Sequence, residues 1–152
     1  MHITPYLSFN GNCEEAFAFY ERCFGGTRGS TFIYGASPMA GQVPPDWQNK
    51  VMHGSITIGE LVVMGADVAD FYEAPKGISL SVQLTNAAEA ERIFGELAAD
   101  GCVQAPLEKT FWAERFGMVV DRFGIPWLIN CGNPTPPQSV IATEPQLSNS
   151  GD

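Results

Sequence analysis

The chain has few positive charges, two histidines and no long apolar run. Lysine and arginine total 8 against 17 aspartates and glutamates, for a formal net charge of −9. Such an acidic chain offers no basic surface to a phosphate backbone or an anionic membrane. No apolar run approaches the roughly 20 residues that span a bilayer, and no basic segment followed by an apolar one begins the sequence. Neither nucleic acid nor a membrane is therefore an expected partner.

The chain also lacks a close cysteine pair. Its four cysteines are Cys13, Cys23, Cys102 and Cys131, and none forms the C-x-x-C spacing of a zinc ribbon or a redox motif. Three of them lie within or beside apolar periodic runs, so we expect them to pack as small hydrophobic side chains. With no secretion signal and no disulfide framework, the expected location is the cytoplasm, where thiols stay reduced.

What the chain does have is enough apolar residues for one core. Its 152 residues are 45% hydrophobic and 16% charged, a composition typical of a compact globular protein. A chain of this size buries about 68–70% of the surface that it exposes when unfolded. We therefore expect a single domain.

An internal repeat organises this domain. The pattern N-x-x-E occurs at 12–15 and again at 86–89, 74 positions later. An asparagine three residues before a glutamate is typical of a helix start. Apolar residues then recur at three- and four-residue spacing, and glycines at Gly25 and Gly101 indicate the two helix ends. The sequence predicts two equivalent amphipathic helices.

Short runs with strand-like composition surround each helix. The predicted strands are Pro5–Phe9, Gly29–Tyr34, Val51–Ile58 and Leu61–Gly65 in the first unit, and Ile78–Leu84, Val103–Leu107, Phe116–Asp121 and Pro126–Cys131 in the second. Turn residues at Gly59 and Gly124 separate the last two strands of each unit. The pattern predicts an α+β fold of two βαβββ modules, the first at about 3–68 and the second at about 77–132.

Three segments connect or follow these elements. Residues 68–77 are the expected joint between modules. Residues 35–49, rich in glycine and proline, are expected to form a long loop of the kind that serves as a lid or binding element. Residues 133–152 contain four prolines among polar residues and are expected to form a flexible tail outside the domain of residues 1–132.

Several motifs resemble one known family. They are PYLSFNGNCEEA at 5–16, Met52-His53, FWAERFGM at 111–118 and DRFG at 121–124. Together with the paired modules, they resemble the PhnB-like branch of the vicinal oxygen chelate superfamily, over residues 3–132. That superfamily also includes glyoxalase I, extradiol dioxygenases and fosfomycin- and bleomycin-resistance proteins. The resemblance implies curved mixed sheets that enclose a cavity, and a homodimer.

The resemblance also implies where a metal ion would bind. In metal-dependent members, His, Gln and Glu side chains from the first and last strands of both modules hold a divalent ion. The 74-residue offset places Pro5 and Ser79 at the first-strand positions, and the last-strand positions are Leu128 and a residue within 62–64. None of these offers an imidazole or a carboxylate. We therefore predict no metal and no cofactor.

The candidate cavity face is read from strand alternation. Met52, Ile56 and Ile58 are expected to pack under a helix, which leaves His53, Ser55 and Thr57 on the opposite, polar face. The first strand of the second module likewise presents Ser79, Ser81 and Gln83 opposite Leu80, Val82 and Leu84. On this face His53 would serve as a general base or orient a ligand. The alternative is a histidine satisfied by a neighbouring hydroxyl or carbonyl.

Trp112 and Glu114 form a second candidate pair. Alternation places both on one side of an aromatic segment, where an apolar wall and a carboxylate would meet a small ligand. Core packing of Trp112 beside a solvated Glu114 is the alternative. Asp121 is expected to be a turn residue rather than a catalyst.

The resulting hypothesis is a PhnB-like protein of unassigned activity that binds or transforms a small metabolite in a metal-free cavity. One alternative is a glyoxalase- or dioxygenase-like enzyme that assembles a metal site from other groups, such as His53 and Glu114. A second is a binding protein that sequesters a drug, which the acidic charge would bias toward cationic compounds. The sequence leaves open whether the protein catalyses a reaction.

Overall fold

The computed structural model describes residues 1–132. The predicted tail at 133–152 lies outside the described residues. The two helices are α1 (Cys13–Phe24) and α2 (Ala87–Ala98). The strands are β1 (Tyr6–Phe9), β2 (Thr27–Arg28), β3 (Phe32–Ile33), β4 (Val51–Ile58), β5 (Leu61–Asp67), β6 (Leu80–Leu84), β7 (Cys102–Glu108), β8 (Arg115–Val120) and β9 (Pro126–Cys131). Neither helix has the length and apolar character needed to cross a membrane, within the described part of the chain.

Each module contributes one mixed sheet. The first sheet has the order β1-β5-β4-β2, with β3 also pairing with β4, and the second has the order β6-β9-β8-β7. The strand that precedes each helix is parallel to the last strand of its own module, and the other pairs are antiparallel. The predicted α+β fold of two βαβββ modules is confirmed.

The second strand of the first module differs from the prediction. The run at 29–34 does not form one strand, since two-residue strands β2 and β3 pair with β4 on either side of Gly29. The backbone N–H of Gly29 donates to the carbonyl of Ser55 at 2.8 Å. A Cβ atom on Gly29 would lie 2.3 Å from Ser55 Oγ, so only glycine allows this close approach. The edge of the first sheet is therefore interrupted.

Both helix ends follow local chemistry, but not always the predicted one. α1 stops at Gly25 in the left-handed conformation, as predicted, whereas α2 ends at Ala98 and its turn continues through Asp100 at φ 58°. Asn86 caps α2 by accepting from the N–H of Glu89 at 3.1 Å. The N-x-x-E pattern would have Asn12 cap α1 in the same way. The Asn12 side chain makes no capping bond, and Asp67 accepts from the N–H of Cys13 instead.

One hydrophobic cluster joins the modules. Both helices and the inner faces of both sheets contribute to it. Tyr20 and Phe24 of α1 cross the module boundary to Trp127 of β9, with ring centroids 5.3 and 4.9 Å apart. Because this shared core joins the helix-covered sides of the two sheets, the sheets formed by residues 1–132 do not close around a cavity within one chain. The resemblance implied an enclosed cavity, whereas these two sheets leave their outward faces open.

The opposite sides of the sheets point away from that core. Outward face one consists of Tyr6, Ser8, His53, Ser55, Thr57, Val62, Met64 and Ala66 on β1, β4 and β5. Outward face two consists of Ser81, Gln83, Phe116, Met118, Val120, Pro126, Leu128 and Asn130 on β6, β8 and β9. Strand alternation puts the residues between them, including Leu7, Ile56 and Ile129, in the core cluster, and packs the partly buried Val82 against it.

The cysteines behave as small core residues. Cys13, Cys23 and Cys131 are buried, Cys102 is exposed, and all four are free thiols. Burial raises the pKa of the Cys13 and Cys131 thiols and raises that of Cys23 to about 12. Burial, with the charge of Asp121, also raises the pKa of Tyr20. Thiols held in the neutral form this firmly are poor nucleophiles.

Alkaline solution is therefore expected to destabilise the fold. A group whose pKa is higher in the folded than in the unfolded chain contributes stability below its unfolded pKa, and that stability is lost as pH rises toward the folded value. The pKa of an ordinary thiol is 9.0, and that of Cys23 in the folded chain is about 12. Cys23 should therefore contribute to the loss of stability between about pH 9.0 and pH 12. The slope per such group approaches about 1.4 kcal/mol per pH unit. Urea unfolding at several alkaline pH values under reducing conditions measures it.

Two alanine variants test the source of that slope. Cys23→Ala should reduce the fall in unfolding free energy with pH, whereas Cys102→Ala, at the exposed thiol, should leave it unchanged. Equal slopes in the parent and Cys23→Ala would show that this buried thiol is not responsible.

Candidate functional site

His53 lies on outward face one between two aromatic side chains. The hydroxyl of Tyr6 is 3.4 Å from His53 Nδ1, and the two ring centroids are 5.9 Å apart. On the other side, Phe32 of β3 is the direct Cα partner of His53. Tyr6 and Phe32 are 53% and 55% exposed. An imidazole is thus held at the surface beside a phenol and a phenyl ring, open to a ligand or to another protein surface.

Sequence reasoning missed Tyr6. The signal was available, because the buried Leu7 and Phe9 alternate with Tyr6 and Ser8 along β1 and so place Tyr6 outward. The Tyr6 phenol, whose ordinary pKa is 10.0, is protonated at neutral pH, and partial burial raises that pKa further. The hydroxyl can therefore donate to Nδ1 when the neutral imidazole carries its proton on Nε2, and it accepts from Nδ1 in the other tautomer.

Ser55 and Thr57 share outward face one with His53. Ser55 is the cross-strand partner of Met64, which in turn is the partner of Tyr6, and Thr57 is the partner of Val62. The predicted polar side of β4 is therefore formed as expected. Gly54 and Ile56, on the other side of the strand, are buried, and Gly54 lies against the ring of Phe17 in α1.

Outward face two carries a polar row of Ser81, Gln83 and Asn130. Asn130 Nδ2 donates to Gln83 Oε1 at 2.8 Å, and Gln83 Nε2 donates to Ser81 Oγ at 2.7 Å. Gln83 and Asn130 are direct partners on the adjacent strands β6 and β9. Asn130 is absent from the predicted site residues, although alternation along β9 places it on this face.

Ser79 makes no hydrogen bond with this row, but it borders outward face two, where it lines an open hollow of about 540 Å³ with Lys76, Met118 and Leu128. It precedes β6 and lines a cleft of about 190 Å³ between the two modules, together with Pro5, Leu7, Leu80 and Ile125. This cleft is mostly apolar, and its walls come from the free edges of the strands that begin each module.

Trp112 and Glu114 lie together, as predicted, but in a turn before β8 rather than in a strand. Both border a shallow hollow of about 320 Å³ with Lys109 and Phe111. The ring of Trp112 packs edge-to-face on Phe111 and on Phe116, at centroid distances of 4.6 and 5.3 Å. With 42% of its surface exposed, Trp112 is not a core residue.

The predicted site residues therefore fall into separate groups within one chain. His53, Ser55 and Thr57 are on the first sheet, and Ser81 and Gln83 are on the second, with the shared core joining the other sides of the sheets. The pair Trp112 and Glu114 borders outward face two through Phe116.

The offset that relates the predicted metal-ligand positions on the two first strands differs from the prediction by one residue. Phe9 and Leu84 are the last inward residues before each helix, so the first strands are related by an offset of 75 rather than 74. The connection from β1 to α1 is one residue longer than that from β6 to α2. Pro5 then corresponds to Leu80, and Ser79 to Thr4, and none of the four is an imidazole or a carboxylate.

The described side chains do not fit a divalent ion. Within residues 1–132, no group of three or more His, Cys, Asp or Glu side chains is placed to hold a metal. Transition-metal sites need such a set of ligands. His53 lies beside a tyrosine and a phenylalanine rather than beside a carboxylate.

Two buried carboxylates are structural. Asp121, predicted as a turn residue, accepts from the N–H groups of Phe123 and Ile125 through Oδ1, and from Tyr20 and Trp127 through Oδ2. Asp67 accepts from the N–H groups of Cys13 and Val51, both at 2.8 Å. Their oxygens are committed to fixed donors, which leaves them no role at either outward face.

The long loop is ordered by short turns. Within it lie three 3-10 turns, Tyr34–Ala36, Ala40–Gln42 and Pro45–Trp47. Gln48 Nε2 donates to the carbonyls of Ala40 and Val43, at 2.8 and 3.2 Å, and holds the turns together. A lid role for this segment stays a prediction.

Comparison with known proteins gives consistent matches. The protein-family model described as 3-demethylubiquinone-9 3-methyltransferase matches residues 1–130. The Escherichia coli protein YjdN is 33% identical over 147 residues, covering 91% of this chain and all of that protein.

Solved structures agree with this match. Protein PA1353 from Pseudomonas aeruginosa is 46% identical with a TM-score of 0.78, over 86% of this chain and 97% of that one. A PhnB protein from Bacillus cereus is 26% identical with a TM-score of 0.74, over 87% and 100% of the two chains. The fosfomycin resistance protein FosX from Listeria monocytogenes, at 11% identity and a TM-score of 0.59 over 87% and 92% of the two chains, shares the fold.

Proposed function

Because this chain belongs to the PhnB-like family described as 3-demethylubiquinone-9 3-methyltransferase, within the vicinal oxygen chelate superfamily, we propose that it is a small-molecule protein of unassigned activity. Its ligand binds between outward face one of one copy and outward face two of a second copy. His53 contacts the ligand from one side. Ser81, Gln83 and Trp112 contact it from the other.

The observation that carries this proposal is the scarcity of charged residues on the two outward faces. Charged residues make up 16% of the chain. Yet within residues 1–132, the outward positions of β1, β4, β5, β6, β8 and β9 hold no Asp, Glu, Lys or Arg. Glu108 of the edge strand β7, the partner of Phe116, is a charge at the margin of face two. Depletion of charge beside partly apolar side chains is typical of the centre of a covered interface. Met64, Met118 and Leu128 supply that apolar character and are only half-buried in one chain.

A second copy of the chain is the simplest cover. In a two-fold dimer, a contact between face one of the first copy and face two of the second occurs twice and closes the assembly. The polar groups at the centres of the faces, His53 with Tyr6 and Ser81 with Gln83, then line the space between the sheets. This arrangement would supply the cavity that one chain does not enclose.

The chemistry available to such a cavity is limited. A neutral His53 has one N–H donor and one nitrogen acceptor, so it can orient a polar ligand or remove a proton from it. Methyl transfer would need a place for a methyl donor. The connections from β1 to α1 and from β6 to α2 contain one glycine between them, Gly11, rather than the glycine-rich turn that binds a nucleotide-type donor.

A metabolite screen tests the role of His53. We expect at least one small polar or aromatic metabolite to bind, and His53→Ala to weaken that binding by about tenfold or more, the cost of losing one hydrogen bond in a desolvated site. Isothermal titration calorimetry measures both affinities. His2→Ala is the matched control, since His2 is exposed before β1, and it should bind like the parent. Equal affinities for the parent and His53→Ala with every ligand found would remove His53 from the site.

A further inference from the structure

We propose that the ligand of this cavity is uncharged and presents a carboxamide-type group to the polar row of Ser81, Gln83 and Asn130. This inference rests on the proposed function and adds the chemical class of the ligand. It is carried by the hydrogen bonds within the row, by the apolar side chains beside it and by the lack of any charged side chain bonded to the row within residues 1–132.

The hydrogen bonds within the row leave complementary groups free. Gln83 is in the middle, accepting from Asn130 at 2.8 Å and donating to Ser81 at 2.7 Å. Each primary amide has two N–H donors and a carbonyl with two lone pairs, so each keeps a second N–H and acceptor capacity. Flipping both amide groups and rotating the Ser81 hydroxyl keeps the same two hydrogen bonds with donors and acceptors exchanged. In either arrangement the row offers a donor and an acceptor side by side, the pattern that an amide group matches.

The surroundings of the row are apolar. Phe116 is the cross-strand partner of Asn130, and Leu128, with Met118 beyond it, is the partner of Ser81. These side chains form a wall on which a planar ring can lie while its amide reaches the row. Trp112 extends that wall from Phe116.

Within residues 1–132, the hydrogen bonds of the row run between its own members, and none goes to a charged side chain. Two charges lie at the margin of this face: Glu108 of β7 is the cross-strand partner of Phe116, two strands away from Asn130, and Lys76 borders the hollow at Met118 and Leu128. The nearest basic residue along β8, Arg115, is the partner of the buried Cys131 and pairs with Glu91 of α2 at 3.0 Å, on the helix side of the sheet. Lys109 and Glu114 border the hollow at Trp112 instead. A carboxylate or an ammonium group taken from water to this row would lose its hydration without a counter-charge in contact with it. The row therefore selects a neutral polar group.

Three probes of the same size test this selectivity: benzamide, benzoate and benzamidine. They differ in charge at one planar substituent. With the full-length protein, benzamide should shift the side-chain amide NMR signals of Gln83 and Asn130. Benzoate and benzamidine should bind at least about tenfold more weakly, since each would leave a charge unpaired in a desolvated site.

A nearly isosteric variant tests the row itself. Gln83→Glu replaces an amide by a carboxylate at the centre of the row. It should weaken benzamide by about tenfold or more, since a donor to the ligand is lost, and it should make benzamidine the preferred probe. Gln42→Glu adds the same charge in an exposed 3-10 turn and should leave the order of the probes unchanged.

The outcomes separate this inference from the proposed function. Binding of benzoate or benzamidine as tight as that of benzamide, with shifts at Gln83, would overturn the neutral-ligand inference and leave a small-molecule site in place. An unchanged order of probes in Gln83→Glu would do the same. If no probe shifts any signal from either outward face, the inference fails. The same result would also contradict the proposed binding of small molecules between the two faces.

Discussion

Replacing Asp121 by alanine is expected to lower the free energy of unfolding by about 4 kcal/mol or more, or to prevent folding. Asp121 is 4% exposed and accepts four hydrogen bonds. Each buried donor left without an acceptor costs about 1–3 kcal/mol. The donors come from both modules, because Tyr20 belongs to α1 while Phe123, Ile125 and Trp127 surround the turn between β8 and β9. Asp121 therefore ties the first helix to the second sheet.

Urea denaturation at fixed protein concentration measures this loss, and two variants sharpen it. Asp121→Asn keeps one oxygen for the backbone N–H groups but sets an amide N–H₂ against two side-chain donors, so its loss should lie between the parent and Asp121→Ala. Asp70→Ala removes an exposed carboxylate from the connection between modules and should change stability by less than about 0.5 kcal/mol. A loss near 1 kcal/mol for Asp121→Ala would contradict the tie between modules.

Replacing Met64 by glutamate is expected to dissociate the proposed dimer into monomers. Met64 is at the centre of outward face one, between Tyr6 on β1 and Ser55 on β4. In Met64→Glu, association would bury an unpaired charge, which costs several kcal/mol. A penalty of about 4 kcal/mol weakens the dimer roughly a thousandfold. The dimer and the cavity between its faces should be lost together.

Sedimentation velocity over a range of protein concentrations measures the association, and circular dichroism checks that the variant is folded. Phe71→Glu is the matched control, because it places the same carboxylate at an apolar side chain that is 86% exposed in the connection between modules. It should sediment like the parent. A folded Met64→Glu protein that remains a dimer would show that outward face one is not the interface.

Much of the fold could be predicted because its signals are local. The bounds of β4 and β9 follow from runs of alternating apolar residues, and the stop of α1 follows from Gly25, which adopts the left-handed conformation at little cost. The outward direction of His53 follows from the same alternation. Period and turn chemistry act over a few residues, so they can be read without knowing what packs against them.

The rest depended on contacts between distant residues. The cap of α1 is Asp67 rather than Asn12, because a buried carboxylate 54 positions away reaches the N–H of Cys13. The offset between the first strands is 75, because Gly11 allows one extra residue before α1. Asn130 joins Gln83 only through the pairing of β9 with β6. None of these pairings leaves a mark in either local segment.

By itself, the sequence determined an acidic domain of two βαβββ modules, the direction in which each strand presents its side chains, and an outward histidine. Only the tertiary structure decided that the helix-covered sides of both sheets share one core, so that His53 and the row at Gln83 belong to separate outward faces. The physical reason is that alternation states which side of a strand is buried. It does not state which partner buries it, and that partner is chosen by packing across the whole chain.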